Sequence, residues 1–488
     1  MPKRIAFDES WKPDRHSTCP LHEQIVTRIK EMITAGDLPV GTRLPPQRDL
    51  ARLFNVNRST VVAAMEELAA LGVVEGRGSA GTVIADDTWS LLLPGRGTWR
   101  ERITAGTLQA STSIVQAINI HEFDEGVIRL GTSEVDPRFF PHDAWRHALV
   151  NAADDPQSFG YLEPLGSPEL RAKLAERLMR RGISASPSEI LITSGSLQGL
   201  QLIAACLLEP GTLMLVEEPT YARSLQVFPS AGMTLAGVDM DAEGMSVQAL
   251  ERALPERTRT PRALYTIPTN HNPTGVTMSE QRREEIMGLC QRRGVPVIED
   301  DAYGELCLDD TPPAPLKARD ERGSVIYLGT ASKSFAAGLR VGWMIASRAV
   351  VERLGDAKMQ SDYGASSVSQ VALTQLISSG DYDRYLQDLL AELRTRRRAA
   401  LSALEMYFAD LATWRRPTGG FFIWTTFRHP VPTAELFSKA LAAGILLNPG
   451  DIYGFKATNS LRLSYSYASS SEFANGIEKL ASIVRELI

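Results

Sequence analysis

Three stretches of this chain carry side chains suited to covalent or ionic chemistry, and in each the reactive group follows an apolar run. Gly329-Thr330-Ala331-Ser332-Lys333-Ser334-Phe335 follows Val325 to Leu328 and places Lys333 in a loop, with Arg340 seven residues on. An ε-amine becomes nucleophilic when a desolvated, cationic surrounding lowers its pKa. Asp300 ends the apolar run Val295-Pro296-Val297-Ile298-Glu299; Asp301 is the alternative carboxylate, but strand alternation turns it to the opposite side. Ser194-Gly195-Ser196-Leu197-Gln198-Gly199 is a small-residue turn at a helix start after Glu189 to Thr193, where backbone N–H groups cradle an anion.

A fourth stretch carries different chemistry. Between Arg43 and Thr60 stand four arginines and one acid, a local positive charge in a chain of 488 residues with a formal net charge of -6. Arg48, Arg52 and Arg58 lie on or near the start of a helix that also presents Asn57, Ser59 and Thr60. Donors at a helix start suit phosphate anchoring, and Arg and Asn also read base edges in a major groove. The acidic balance elsewhere leaves no cationic field for wrapping nucleic acid or an anionic membrane, so any DNA contact is local.

The elements that position these groups follow from apolar spacing. Leu21, Ile25, Ile29, Met32 and Ile33 mark a first helix that stops near Gly36, Gln47 to Phe54 a second, and Ser59 to Leu71 a third. Val73-Val74 and Thr82-Val83-Ile84 around a glycine-rich loop predict a β-wing. Residues 86–121 lack sustained period and read as a linker. Beyond it, the β-like runs Glu189 to Thr193, Leu213 to Val216, Ala263 to Ile267, Val295 to Glu299 and Val325 to Leu328 alternate with helical segments. That alternation predicts an α/β fold with a mainly parallel sheet and ligands at the strands' carboxyl ends. From about Ile345 helices dominate, notably Tyr382 to Tyr407, before a β-like segment Gly420 to Thr425 and a last helix after Ser471. The four cysteines have no ligand-like spacing and read as reduced thiols, which predicts neither disulfides nor a metal site. No apolar stretch is long enough to span a bilayer and the first residues form no signal-peptide core, so the expected location is the cytoplasm.

Two resemblances cover nearly the whole chain. Leu21-His22-Glu23-Gln24-Ile25, Leu44-Pro45-Pro46-Gln47-Arg48-Asp49-Leu50-Ala51, Val56-Asn57-Arg58-Ser59-Thr60-Val61 and Gly78-Ser79-Ala80-Gly81-Thr82 resemble the winged helix-turn-helix of GntR-type regulators, over residues 18–85. Residues 122–488 resemble the fold-type I aminotransferases, with a large mainly parallel domain and a smaller C-terminal subdomain, and the fusion resembles the MocR subfamily of GntR regulators. The resemblance implies pyridoxal 5'-phosphate (PLP) held on Lys333 as an internal aldimine. It implies Asp300 at the pyridine nitrogen, Tyr303 and Asn272 at the phenolic oxygen, and Tyr221 stacked on the ring unless it is simply a core aromatic. Ser196, the backbone of Leu197, Thr330, Ser332 and Arg340 are the implied phosphate set; many relatives carry a polar side chain where Leu197 stands. Tyr161, in Phe159-Gly160-Tyr161, matches the residue that reaches the phosphate from a partner subunit, which implies a homodimer with swapped domains. Arg462 matches the residue that grips a substrate carboxylate, with a structural salt bridge as its alternative. Arg77 and Gly78 at the wing tip suit a minor groove, or form a plain loop.

These resemblances imply a transcription regulator that binds a double-stranded DNA operator. An amino acid or amine effector would react with the Lys333 aldimine and alter DNA binding. Two alternatives stand beside it: a working aminotransferase with a DNA-binding module, favoured by the Asp300-x-x-Tyr303 spacing, and a sensor of PLP itself that regulates vitamin B6 metabolism.

Overall fold

The apolar runs between Glu189 and Leu328 pair into one large sheet whose strand ends gather the chemistry-bearing loops. The structure, a computed structural model, describes residues 11–15, 17, 19–34, 38, 42–70, 73–76, 81–84, 112–255 and 260–488. Contacts divide the chain into two units, Met1–Ala117 and Ile118–Ile488.

In the second unit the sheet runs in the order Ile190–Thr193, Gly342–Ile345, Val325–Thr330, Val297–Asp300, Arg262–Thr266, Leu213–Glu218, Thr234–Asp241, Gly244–Met245. The strands from Val325–Thr330 to Thr234–Asp241 are mutually parallel. Gly342–Ile345 runs antiparallel to both neighbours, so Ile190–Thr193 regains the common direction. The carboxyl ends of Ile190–Thr193, Leu213–Glu218, Arg262–Thr266, Val297–Asp300 and Val325–Thr330 therefore open on one edge, where α/β sheets bind ligands. Ile190–Thr193 and Val297–Asp300 are buried throughout, as strands covered on both faces must be. Leu200, Ile203, Phe228, Tyr265 and Ile298 belong to one core cluster, and Leu215, Leu250, Leu264, Ile286 and Val297 to another.

Three features depart from the sequence reading. Thr234–Asp241 is a strand that most residues leave partly exposed, so burial writes no apolar run there. Beyond Ile345 a second sheet, antiparallel throughout, joins Ala412–Trp414, Phe422–Phe427, Ser460–Ser464 and Asn448–Pro449 in that order; its short strands are outweighed in sequence by the helices Asp381–Phe408 and Ser470–Leu487. Within the expected linker, Ser113–His121 is a helix, while residues 85–111 lie outside the described residues. After that helix, Ile128–Arg129 pairs in parallel with Ile445–Leu446, and the segment from Gly131 to Glu134 follows directly.

In the first unit the helices Leu21–Thr34, Gln47–Phe54 and Arg58–Ala70 pack through Ile25, Ile29, Leu50, Phe54, Val61 and Leu68. Asn55, left-handed at φ 54°, ends the second helix. Val74–Gly76 pairs antiparallel with Thr82–Ile84, and Arg43 bridges to Val83 from the other side. Arg77 and Gly78 lie outside the described residues.

The approach of Gly329 to Trp343 makes the strand before Lys333 sensitive to a single methyl, because a Cβ there would stand 2.3 Å from Trp343 Nε1. Gly329→Ala is expected to destabilise the large unit by about 1–3 kcal/mol, seen as a lowered midpoint in denaturant unfolding. An unchanged midpoint would show that this strand pair has room to spare.

Candidate functional site

Lys333 stands in the single turn Ala331–Ser334, directly after Val325–Thr330. The turn starts on Thr330, whose hydroxyl accepts from the Ser332 N–H at 3.1 Å. Lys333 Nζ donates to the Ser133 carbonyl at 2.7 Å and lies 3.1 Å from the Ser133 hydroxyl. Burial pushes the amine down to about 8; Arg462 and Arg340 push the same way, while Glu134 and Asp300 oppose. At neutral pH this leaves about 300 times more free amine than an ordinary lysine has. The nucleophilic form is thus within reach.

Asp300 is 4% exposed. Its Oδ2 accepts from the Tyr265 phenol at 2.7 Å, and among the described residues its equally buried Oδ1 has no hydrogen-bond partner. Desolvation pushes this carboxyl up to about 6, against the phenol's hydrogen bond. A buried carboxylate with one oxygen open is suited to a cationic donor on that side. Asp301 points away: it accepts from Tyr327 at 2.7 Å and pairs with Arg181. Alternation along the strand separates the two carboxylates, as the sequence predicts.

Arg462, in Ser460–Ser464, donates to Asn272 Oδ1 at 2.9 Å and to the Gly131 carbonyl at 2.6 Å. Its guanidinium lies 4.3 Å from the ring centre of Phe422 and 4.9 Å from that of Tyr453. Among the described residues no carboxylate forms an ion pair with it, so the structural salt bridge considered for this residue is not made here. Tyr221 donates its N–H to the Asn272 carbonyl at 3.0 Å, and burial pushes its phenol up to about 12. Tyr303 packs edge-on against Phe421 and Phe422, and burial pushes its phenol up. Lys333, Asp300, Asn272, Tyr221, Tyr303 and Arg462 thus gather at one edge of the sheet.

A corner of that edge is shaped for an anion. Gly195 has φ 84°, and a Cβ on it would stand 2.6 Å from Arg340 Nη2. Arg340, itself left-handed at φ 51°, reaches the Ser194 carbonyl at 3.3 Å and the Ser332 hydroxyl at 3.4 Å. Such a backbone costs about 1–3 kcal/mol and persists where its surroundings hold it. Ser196 and Leu197 open the helix Ser196–Cys206, which leaves their N–H groups without helical partners; the Leu197 side chain is partly exposed. Tyr161 makes no hydrogen bond to this corner among the described residues; it is 83% exposed, with its ring 5.3 Å from that of Tyr363.

In the first unit Asn57, Arg58 and Ser59 are exposed at the start of Arg58–Ala70, and Thr60 is half-buried. Thr60 donates its N–H to the Asn57 carbonyl at 3.0 Å. Arg48 and Arg43 are exposed as well, and Arg43 lies along Gly81, at 3.1 Å from where a Cβ would be. Sequence reasoning passed over Ser133, Gly131, Tyr265 and Tyr453. The one signal for the first two was a glycine closing the short run Val127-Ile128-Arg129-Leu130; their partners lie 200 and 331 residues away.

Residues 125–480 match the family described as aminotransferase class I and II, and residues 21–84 match bacterial regulatory proteins of the gntR family. The HTH-type transcriptional regulator YisV of Bacillus subtilis (strain 168) is 45% identical over 479 residues, covering 98% of this chain and 99% of that protein. NorG, an HTH-type transcriptional regulator of Staphylococcus aureus (strain N315), is 31% identical over 91% of this chain and all of its own length. Among solved structures, kynurenine aminotransferase of Pyrococcus horikoshii in complex with PMP is 32% identical, with a TM-score of 0.73 over 78% of this chain and 95% of that one. The α-aminoadipate aminotransferase LysN of Thermus thermophilus, complexed with N-(5'-phosphopyridoxyl)-L-leucine, is 30% identical, with a TM-score of 0.73 over 80% and 99%.

An amine held at about 8 loses its proton as pH rises through that value, two to three units earlier than an exposed lysine. Labelling of Lys333 by a small aldehyde, trapped with borohydride and located by mass spectrometry, is expected to rise with pH and reach half its limit near 8. A midpoint above 10 would show that Lys333 is not desolvated.

Proposed function

Since this chain belongs to the aminotransferase class I and II family and carries a gntR-family regulatory domain in front of it, in the manner of MocR-type transcription regulators, we propose that PLP binds at Lys333, that an amino compound binds beside Arg462, and that this occupancy alters DNA binding. The observation that carries the reading is the pairing of a desolvated amine with a buried carboxylate whose Oδ1 is open.

The residues present fit the cofactor. PLP, when bound, supplies an aldehyde that exchanges between amines and a pyridine ring that withdraws electrons from the amine it carries. Lys333 would bond the aldehyde and Asp300 Oδ1 would hold a proton on the ring nitrogen. Asn272 and Tyr303 would meet the phenolic oxygen, and Tyr221 the face of the ring. Ser196, the Leu197 N–H, Thr330, Ser332 and Arg340 would hold the phosphate, joined by Tyr161 of a second copy in a swapped homodimer. The Gly195 turn supports that assignment, since its φ of 84° favours glycine and the Arg340 guanidinium lies against it. Arg462, held by an amide, a carbonyl and two rings, keeps its charge for the carboxylate of an amino acid or of an amine that bears an acid.

In the first unit Arg48, Asn57, Arg58, Ser59 and Thr60 would meet the duplex, with Arg77 and Gly78 at the wing. An amino compound that competes with Lys333 for the aldehyde changes DNA affinity only if it binds two states of the protein unequally. The test uses the full chain and a DNA fragment it selects from a random pool. Affinity and footprint are measured without PLP, with PLP, and with PLP plus a panel of amino acids and amines. One of the panel is expected to change the footprint of the loaded protein, and Lys333→Ala to abolish the change. Identical binding across every condition and in the variant would overturn the switch.

A second reading, an aminotransferase that turns over, is favoured by the free charge of Arg462 beside a lysine held at about 8. Steady-state transfer of amino groups to an oxo acid would separate it from the switch. For the DNA reader, Arg58→Ala is expected to weaken binding to selected and unrelated fragments alike. It should also flatten the slope of log affinity against log salt by about 1. A loss confined to the selected fragment would make Arg58 a base reader.

A further inference from the structure

Tyr265 is fully buried in a core cluster of the large sheet, with its ring 5.9 Å from that of Phe228. A phenylalanine would fill the space without burying a hydroxyl, which costs free energy unless a partner is found. The partner is Asp300 Oδ2, at 2.7 Å. Strand register makes the reach possible. Parallel pairing sets Tyr265 beside Ile298, and residues two apart on a strand share a face, so Tyr265, Ile298 and Asp300 lie on the same side. On the other side Tyr327 makes the corresponding contact to Asp301, also at 2.7 Å, but there Arg181 supplies a positive charge as well. Asp300 has no such pairing, and among the described residues Tyr265 is its one side-chain hydrogen-bond donor.

We propose that Tyr265 is a positioning residue: its hydroxyl occupies one oxygen of Asp300, keeps the group anionic, and leaves the other oxygen turned to the ring nitrogen of the cofactor. This role presupposes the PLP reading of the site. A hydrogen bond to a carboxylate favours its charged form, and here it opposes the desolvation that pushes Asp300 up to about 6. The bond also fixes the plane of the carboxylate. Without it, Asp300 can turn, and the proton shared with the ring nitrogen moves toward the carboxyl.

The test titrates the full chain, freed of cofactor, with PLP and with 1-deaza-PLP, in which carbon replaces the ring nitrogen, and follows absorbance. Tyr265→Phe is expected to bind PLP about ten-fold more weakly than the unaltered chain and to bind the deaza analogue within about two-fold of it, because that ligand gives Asp300 nothing to hold. On an Asp300→Asn background the same substitution is expected to change PLP binding less than about two-fold. Equal losses for both ligands, no loss for either, or a full ten-fold loss on the Asp300→Asn background would reduce Tyr265 to a core residue and overturn the proposal. An unaltered chain that takes up neither ligand would fail differently: the cofactor reading would fall first, and the role of Tyr265 with it.

Discussion

Burying the carboxylate of Asp300 to 4% exposure is costly unless donors meet its oxygens, and among the described residues a side chain meets only one of them. Much of the large unit can be understood from that shortfall. The end of a central parallel strand is the one place where a backbone buried on both faces delivers a side chain to an open edge. The neighbouring strand Val325–Thr330 delivers Lys333 to the same edge, the loop beyond the other neighbour, Arg262–Thr266, brings Asn272, and Leu213–Glu218, one strand further, brings Tyr221. The charges there are set against one another. Arg340 and Arg462 push the Lys333 amine toward its neutral form while Glu134 and Asp300 pull it back, and burial decides the balance.

The large sheet was legible in the sequence because its central strands are buried on both faces and read as apolar runs ended by small or charged residues. The helix-turn-helix was legible for a related reason: Gln47–Phe54 is bounded by proline before and Asn55 after, and the helix Arg58–Ala70 by the Asn57–Ser59 start. Legibility failed where burial is partial or pairing is distant. Thr234–Asp241 is half exposed, and Ser460–Ser464, which carries Arg462, is a five-residue strand whose partners lie across a separate sheet. Ser133 could be placed by no local rule, because its role depends on Lys333, 200 positions on. Tyr265 was legible as a strand residue and silent as a hydrogen-bond donor, since apolar runs accept tyrosine and phenylalanine alike.

Two kinds of recognition share one acidic chain. The stretch from Arg43 to Thr60, with four arginines and one acid, sets a small basic patch on and around two helices of the first unit while the formal balance of the whole chain is -6. Such a contrast favours site-directed contact over diffuse adhesion, because phosphate attraction decays within about 8–10 Å at ordinary salt. The edge that carries Lys333 and Asp300 works by the opposite means, through groups withdrawn from water where charge is felt most strongly.

The bond between Lys333 and Ser133 carries a further consequence. A lysine ammonium has three hydrogens to give, enough to serve both the carbonyl and the hydroxyl of Ser133. Once that nitrogen is joined to a carbonyl carbon it keeps one hydrogen at most, so this double anchorage cannot survive intact. Gly131 and Glu134 on either side keep bonds to Arg462 and Ser466 that do not involve the lysine, so such a change would fall on Ser133 itself. That residue follows closely on Ile128–Arg129, ahead along the chain of every other side chain gathered at the sheet's edge, so the first of them to be reached in sequence is tied to the amine that stands 200 positions on.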